Sequence, residues 1–150
     1  MKKLLLAIAL LLTGTVLKTS AQILTPVRWS YGAKKINTHE AVVFMKASID
    51  DGWHLYSQFV KDGGPVKTTF MFDTSKAYTL VGTTQEPTPI TRNEKAFNMD
   101  VSFFEHEAIF QQKIKLKAGQ AVVKGKLEYM TCNDKQCLPP DDIEFSIPVK

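Results

Sequence analysis

Hydrophobic and polar residues alternate with a period of two along much of the chain. Between Ala108 and Leu116 the even positions are mainly apolar and the odd positions mainly polar, which is typical of a strand with one face against a core. The same alternation recurs over residues 121–131 and 143–149. Because Pro148 has no amide hydrogen to donate, the last strand is predicted to lie at a sheet edge or to end there.

Four further strands are predicted earlier in the chain. They cover Ala41 to Ile49, Gly52 to Ser57, Val66 to Phe72 and Ala77 to Val81. Turn-forming Asp, Gly, Ser and Pro residues separate them, and no segment shows a sustained helical period. Seven or so short strands with regular turns predict an all-β protein, an immunoglobulin-like antiparallel β-sandwich. A closed barrel is the alternative.

One segment, from Gln85 to Phe104, breaks the alternation and is predicted to be a long loop. It carries two prolines and two asparagines among scattered aromatic residues. Long loops inside compact domains are often functional, so Phe97, Phe103 and Phe104 are candidates to cover a site. The alternative is that these rings fill the core at one end of the sandwich.

The first 21 residues have the composition of a removable secretory signal peptide. A basic start precedes an apolar run from Leu4 to Leu12, and small residues at positions 19–21 offer a cleavage site. The run is shorter than the ~20 residues that a membrane span needs. We expect cleavage after Ala21, secretion across the inner membrane into the periplasm, and a single domain over residues 22–150 with no membrane span.

Composition and charge narrow the classes of partner. Of the 150 residues, 44% are hydrophobic and 23% charged, as expected for a folded domain. Lys2, Lys3 and Lys18 lie in the leader, so 16 basic and 15 acidic residues remain and the net charge falls to about +1. Without a basic stripe, nucleic acid is not expected as a partner.

The chain has two cysteines, Cys132 and Cys137. An exported protein with one such pair is expected to form a disulfide, and a hairpin between the flanking strands would bring the thiols together. Closing a six-residue loop contributes only about 2 kcal/mol. The spacing therefore favours thiol–disulfide exchange over a structural staple, which remains the alternative.

Metal binding is the rival use of the same cysteines. Zinc needs three or four ligands, usually with closer cysteine spacing, whereas His39, His54 and His106 are scattered along the chain. We predict no metal site and no cofactor.

The residues around the two cysteines form a motif, which consists of Tyr129, Cys132, Asn133, Asp134, Cys137, Pro139 and Pro140. This motif resembles the redox motif of the N-terminal periplasmic domain of the thiol:disulfide interchange protein DsbD. The stretch Asp51–Ser57, which reads Asp-Gly-Trp-His-Leu-Tyr-Ser, resembles a second segment of that family. Together with the strand order, the similarity covers roughly residues 27 to 149. Met130 stands where the family often has glutamine, and the loop between the cysteines is shorter.

The resemblance implies a protein-disulfide reductase component. Such a domain takes electrons from a membrane-embedded or thioredoxin-like donor and passes them to exported disulfide-containing proteins. Cys137 would form the mixed disulfide and Cys132 would resolve it. Counted back from the strand that contains Phe110, Phe103 falls where the family has a cap aromatic that shields the pair, with Phe104 beside it.

The donor is the least determined partner. Because the chain ends at Lys150 without a membrane or thioredoxin-like domain, the donor is expected to be a separate polypeptide. The alternative from another class is a non-enzymatic β-sandwich binding module whose disulfide pins a hairpin.

Overall fold

A computed structural model describes residues 24–150, so the expected signal peptide lies outside the described residues. This part of the chain forms eleven strands. The strands are β1 (Val27–Lys35), β2 (Glu40–Ile49), β3 (Trp53–Tyr56), β4 (Thr69–Phe72), β5 (Tyr78–Gln85), β6 (Ile90–Glu94), β7 (Met99–Phe104), β8 (Glu107–Leu116), β9 (Ala121–Tyr129), β10 (Thr131–Asn133) and β11 (Asp141–Val149). Over the same residues no helix is long and apolar enough to cross a membrane.

The strands make three antiparallel sheets that build an immunoglobulin-like β-sandwich, which confirms the predicted fold class. The strand orders are β1-β2-β8-β5, β10-β3-β7-β6 and β11-β9-β4. The second of these, the β10-β3-β7-β6 sheet, is called the site sheet below because it carries Cys132. As predicted from Pro148, β11 lies at a sheet edge.

The alternation of residue type becomes an alternation of burial. Every second residue of β8 and β9 is buried, including Phe110, Ile114, Val123 and Leu127. These side chains fill the main core together with alternate residues of β2 and β11. A register shift of one residue in these strands would turn the whole buried row towards solvent. Such a shift would be costly, because burial of apolar area stabilises the fold by roughly 25 cal/mol per Å².

The prediction of a long loop over Gln85–Phe104 is wrong. Most of this segment is the β6–β7 hairpin, closed by a four-residue turn at residues 95–98. In that turn Asn98 has a φ of 52°, a left-handed conformation that asparagine tolerates better than most residues, and Phe97 N donates to the Glu94 carbonyl oxygen over 3.1 Å.

Two local environments hide this hairpin from the period-two pattern. β6 is an edge strand and its side chains are almost all exposed, which is typical of polar edge strands. At the end of β7 the adjacent Phe103 and Phe104 are both buried, because the site sheet is covered on both faces there. A strand that is exposed to solvent on both faces, or buried on both faces, shows no alternation of polar and apolar residues.

The sequence pattern does not predict β1, for a similar reason. Most of its residues are half-buried or exposed, so the sequence shows no strict alternation there. The strand is nevertheless paired with β2 along its whole length, from Val27 opposite Ile49 to Lys35 opposite Ala41.

Candidate functional site

The two cysteines form a disulfide across a tight hairpin, with their Cα atoms 4.0 Å apart. Asn133 N donates to the Gln136 carbonyl oxygen over 2.9 Å, and Leu138 N donates to the Thr131 carbonyl oxygen over 3.0 Å. Asn133 Oδ1 also accepts hydrogen bonds from the backbone amides of Lys135 and Gln136, each at 2.9 Å. An asparagine at this position stabilises the turn by capping the free amides, which explains the residue type between the cysteines.

The strand β10 attaches this hairpin to the site sheet. Cys132 lies opposite His54 of β3, and Thr131 Oγ1 donates to the His54 carbonyl oxygen over 2.8 Å. The two sequence segments that carry the family resemblance, which are far apart in the chain, are therefore neighbouring strands.

The site sheet separates two hydrophobic clusters. Leu55 and Phe104 of its inner face belong to the main core. Tyr56, Phe103 and Cys132 point to the opposite face and form a second buried cluster with Val101, which we call the site cluster. Adjacent residues of a strand point to opposite faces, so Phe103 and Phe104 serve different clusters, and Phe104 does not lie beside the cysteines.

Phe103 supports the disulfide from within the sheet. It is a fully buried strand residue opposite Tyr56, and its ring centroid lies 4.8 Å from that of His54. The Arg92 guanidinium lies 4.9 Å from the Phe103 centroid and pairs with Glu105 at 3.3 Å. The ring is thus enclosed on several sides, unlike a side chain on a loop.

Phe97 occupies the exposed end of the same face. It is half-buried in the β6–β7 turn, packs against the site cluster and lies edge-on to Tyr56 with 6.4 Å between ring centroids. It lines a cavity of about 320 Å³ together with both cysteines, His54 and Tyr56. Of the three phenylalanines in the segment Gln85–Phe104, Phe97 is therefore the one that borders the cavity beside both cysteines.

The two sulfur-bearing residues differ in their access to solvent. Cys132 is only 2% exposed, whereas Cys137 is an exposed residue of the hairpin. Thiol–disulfide exchange requires the attacking sulfur to reach the sulfur that it attacks. An incoming thiolate therefore has its open approach at Cys137.

Burial shapes the titration of the groups behind the disulfide. It lowers the pKa of His54 below the ordinary value of 6.5, so the imidazole is neutral at pH 7. Burial, with a smaller contribution from Glu94, raises the pKa of Tyr56 to about 12, and the phenol keeps its proton. The buried side of the site is uncharged at neutral pH, while Asp134 and Lys135 lie exposed on the turn.

The remaining predicted site residues lie on the other side of the hairpin. Tyr129 is buried and its hydroxyl donates to Asp141 Oδ2 over 3.3 Å. Together with Leu138, Pro139 and Pro140 it lines a separate pocket of about 430 Å³. Within residues 24–150, no three His, Cys, Asp or Glu side chains come together as metal ligands would.

The fold and the disulfide hairpin alone fit both an exchange domain and a structural clamp, and the family match decides between these classes. The family of the N-terminal domain of the thiol:disulfide interchange protein DsbD matches residues 20–148. The chain belongs to this family and is a thiol–disulfide exchange component, which confirms the resemblance seen in the motif. No curated protein matches the chain significantly.

Solved structures share the fold at low sequence identity. The reduced N-terminal domain of DsbD from Neisseria meningitidis has a TM-score of 0.57 and 21% identity, over 84% of this chain and 90% of that one. The N-terminal periplasmic domain of ScsB from Proteus mirabilis has a TM-score of 0.57 and 18% identity, over 82% of this chain and 45% of that one. The complex of the DsbD and PilB N-terminal domains from Neisseria meningitidis gives a TM-score of 0.54 and 18% identity, over 83% and 87% of the two chains.

Proposed function

We propose that the Cys132–Cys137 pair carries reducing equivalents to exported disulfide-containing proteins. The observation that carries this proposal is the unequal exposure of the two residues, with Cys137 open and Cys132 buried. A carrier needs one sulfur that partners can reach and a second that remains protected until the mixed disulfide has formed. A purely structural clamp has no need of this difference.

The reaction runs in two exchanges from the dithiol form. The Cys137 thiolate attacks one sulfur of the acceptor disulfide, a mixed disulfide forms, and the first acceptor thiolate leaves and takes up a proton. The Cys132 thiolate then attacks Cys137 Sγ, which releases the second acceptor thiolate to be protonated. The acceptor disulfide gains two electrons and two protons, and the carrier is left with the Cys132–Cys137 bond.

A shield limits this chemistry to chosen partners. We assign the cap to Phe97, supported by its place on the turn of an edge hairpin and its border on the cavity shared with both cysteines. Phe103, which the resemblance suggested, is enclosed in the strand β7 and supports the cap from beneath.

Regeneration of the dithiol requires a donor. The resemblance points to a membrane-embedded or thioredoxin-like donor whose thiolate attacks Cys137 Sγ. The complex formed by the DsbD and PilB N-terminal domains of Neisseria meningitidis supports docking of another domain by this fold. The leader expected at residues 1–21 and the periplasmic ScsB domain support a periplasmic location.

Trapping each cysteine separately tests the assignment of roles. Reduced Cys132→Ala and Cys137→Ala variants are mixed with glutathione disulfide, and the adducts are followed by mass spectrometry. We expect the adduct at Cys137 to form about tenfold faster, or more, than the adduct at Cys132. Each 1.4 kcal/mol of free energy needed to expose Cys132 slows its reaction tenfold. Equal rates in the two variants would refute the assignment.

The reduction potential separates the carrier from the binding module. A structural bond in an exported protein lies below about −300 mV, and a working carrier lies higher. The purified protein is equilibrated in graded thiol buffers and its free thiols are counted by alkylation. A bond that resists reduction until the domain unfolds would favour the structural hairpin of the alternative.

A further inference from the structure

His54 is a buried histidine that borders the disulfide cavity. The residue is 6% exposed and lies directly opposite Cys132 in the pairing of β3 with β10. Residues directly opposite on antiparallel strands project to the same face, with Cβ atoms about 4.5–5.5 Å apart. His54, Cys132 and Cys137 line the same cavity.

Within residues 24–150, no hydrogen bond reaches a ring nitrogen of His54. The side-chain hydrogen bond that reaches His54 ends on its carbonyl oxygen and comes from Thr131. Among residues 24–150, the side-chain nitrogen and oxygen atoms that are fully buried without a hydrogen bond belong to Trp29 and Tyr31. The ring nitrogens of His54 are not among these atoms, so they keep some access to solvent. Buried polar groups are normally hydrogen-bonded, and His54 lines the cavity beside both cysteines, where its ring can meet a partner.

We propose that His54 accepts the proton of the Cys132 thiol when Cys132 resolves the mixed disulfide. This inference rests on the proposed function, in which Cys132 makes the second attack. The Cys132 S–H bond breaks and its proton passes to an imidazole nitrogen. The sulfur electron pair forms the bond to Cys137 Sγ, and the acceptor sulfur leaves as a thiolate. The imidazolium then returns its proton to that thiolate, so protons and electrons balance.

The physical need for such a group follows from the burial of Cys132. The thiolate is the nucleophile in exchange, and a sulfur that is 2% exposed has little water to take its proton. A neutral imidazole on the neighbouring strand supplies an acceptor at the place where the proton is released. Tyr56, on the same face, holds its own proton at neutral pH because its pKa is raised to about 12.

The charges around His54 keep it ready for this role. Burial lowers its pKa, and Arg92 of β6 acts in the same direction. Glu94 of β6, Glu105 after β7 and Asp134 of the cysteine turn oppose this shift and would stabilise the imidazolium once it forms. The resting base is therefore neutral, and nearby carboxylates favour its transient charge.

A two-step kinetic assay tests the inference. Reduced protein is mixed with excess glutathione disulfide, samples are quenched in acid, and mass spectrometry separates the mixed disulfide from the closed Cys132–Cys137 bond. At pH 7 only about 1 in 30 molecules of an ordinary thiol with a pKa of ~8.5 is a thiolate, and a buried thiol ionises less readily, so closure without the base is slow. For His54→Gln we expect closure about 5- to 30-fold slower at pH 7.

The pH profile distinguishes proton transfer from mere packing. The deficit in the rate of closure of His54→Gln should shrink as the pH rises from 7 to 9.5, because hydroxide then increasingly removes the thiol proton. Formation of the mixed disulfide at Cys137 should stay within about twofold of the parent at every pH, because Cys137 is exposed and does not need the base. His54→Phe retains an aromatic ring against Phe103 and should show the same loss.

Controls separate the possible failures. His39→Gln removes an exposed histidine just before β2 and should leave both steps unchanged. Urea unfolding shows which variants are folded, and His54→Phe serves if His54→Gln is not. Closure by a folded His54 variant that equals that of His39→Gln at all pH values would overturn the inference and leave the proposed function intact. Absence of any adduct at Cys137 in Cys132→Ala, which cannot resolve the mixed disulfide, would overturn both.

Discussion

Replacement of Phe97 by alanine tests whether the β6–β7 turn controls access to the disulfide. The Phe97 ring is half-buried and meets Tyr56 edge-on with 6.4 Å between centroids. An aromatic pair of this kind is worth about 0.5–1.5 kcal/mol. If this contact holds the cap closed, its loss raises the fraction of open molecules about 2- to 12-fold, since 1.4 kcal/mol is a factor of ten.

The assay is the rate at which dithiothreitol reduces the Cys132–Cys137 bond under native conditions, followed by alkylation of the released thiols. Phe97→Ala should be reduced about 2- to 12-fold faster than the parent protein. Phe59→Ala is the matched control, because Phe59 is 71% exposed and does not line the cavity. We expect it to react at the parental rate.

Truncation of Phe97 should leave the domain folded. Phe97 is a turn residue, so its truncation should cost only about 1 kcal/mol of unfolding free energy, and urea denaturation checks that the fold survives. A folded Phe97→Ala that is reduced no faster than Phe59→Ala would refute the assignment of the cap.

Two further predictions concern the packing behind the site. Phe103→Ala should lower the free energy of unfolding by about 3–5 kcal/mol, since the ring is fully buried; a loss below about 1 kcal/mol in urea denaturation would contradict this packing. Burial raises the pKa of Tyr129 to about 12, whereas the pKa in the unfolded chain is about 10. This difference contributes about 2–3 kcal/mol to the free energy of unfolding below pH 10, and the contribution is lost as the pH rises towards 12. Tyr129→Phe should therefore lose less stability than the parent between pH 9 and pH 11 in urea titrations, and equal losses would contradict the raised pKa.

The long alternating strands could be predicted from the sequence because each separates the core from water. β2, β8, β9 and β11 bury every second side chain, and the sequence records that separation directly. The cysteine hairpin was also predictable, since two strands flank a short turn that contains Asn133. The family resemblance added the segment Asp51–Ser57, which the structure places beside the cysteines.

The environment of the disulfide could not be predicted in this way. All four residues of β3 are buried because both faces of the site sheet are covered, and β6 is exposed almost throughout. Neither strand alternates, and without an alternating β6 the sequence pattern predicts a loop where the structure has the β6–β7 hairpin. A count along the chain could not show that Phe103 is buried within β7 whereas Phe97 borders the cavity, since these positions depend on which strand each ring meets.

The all-β class, the pair of cysteines and their closeness follow from the sequence alone, because each depends on patterns within about ten residues. Only the tertiary structure decided that Cys132 is buried while Cys137 is exposed, and that His54 lies opposite Cys132. These properties arise from the pairing of strands nearly eighty residues apart. Burial depends on what covers a side chain, and the covering residues come from distant parts of the chain.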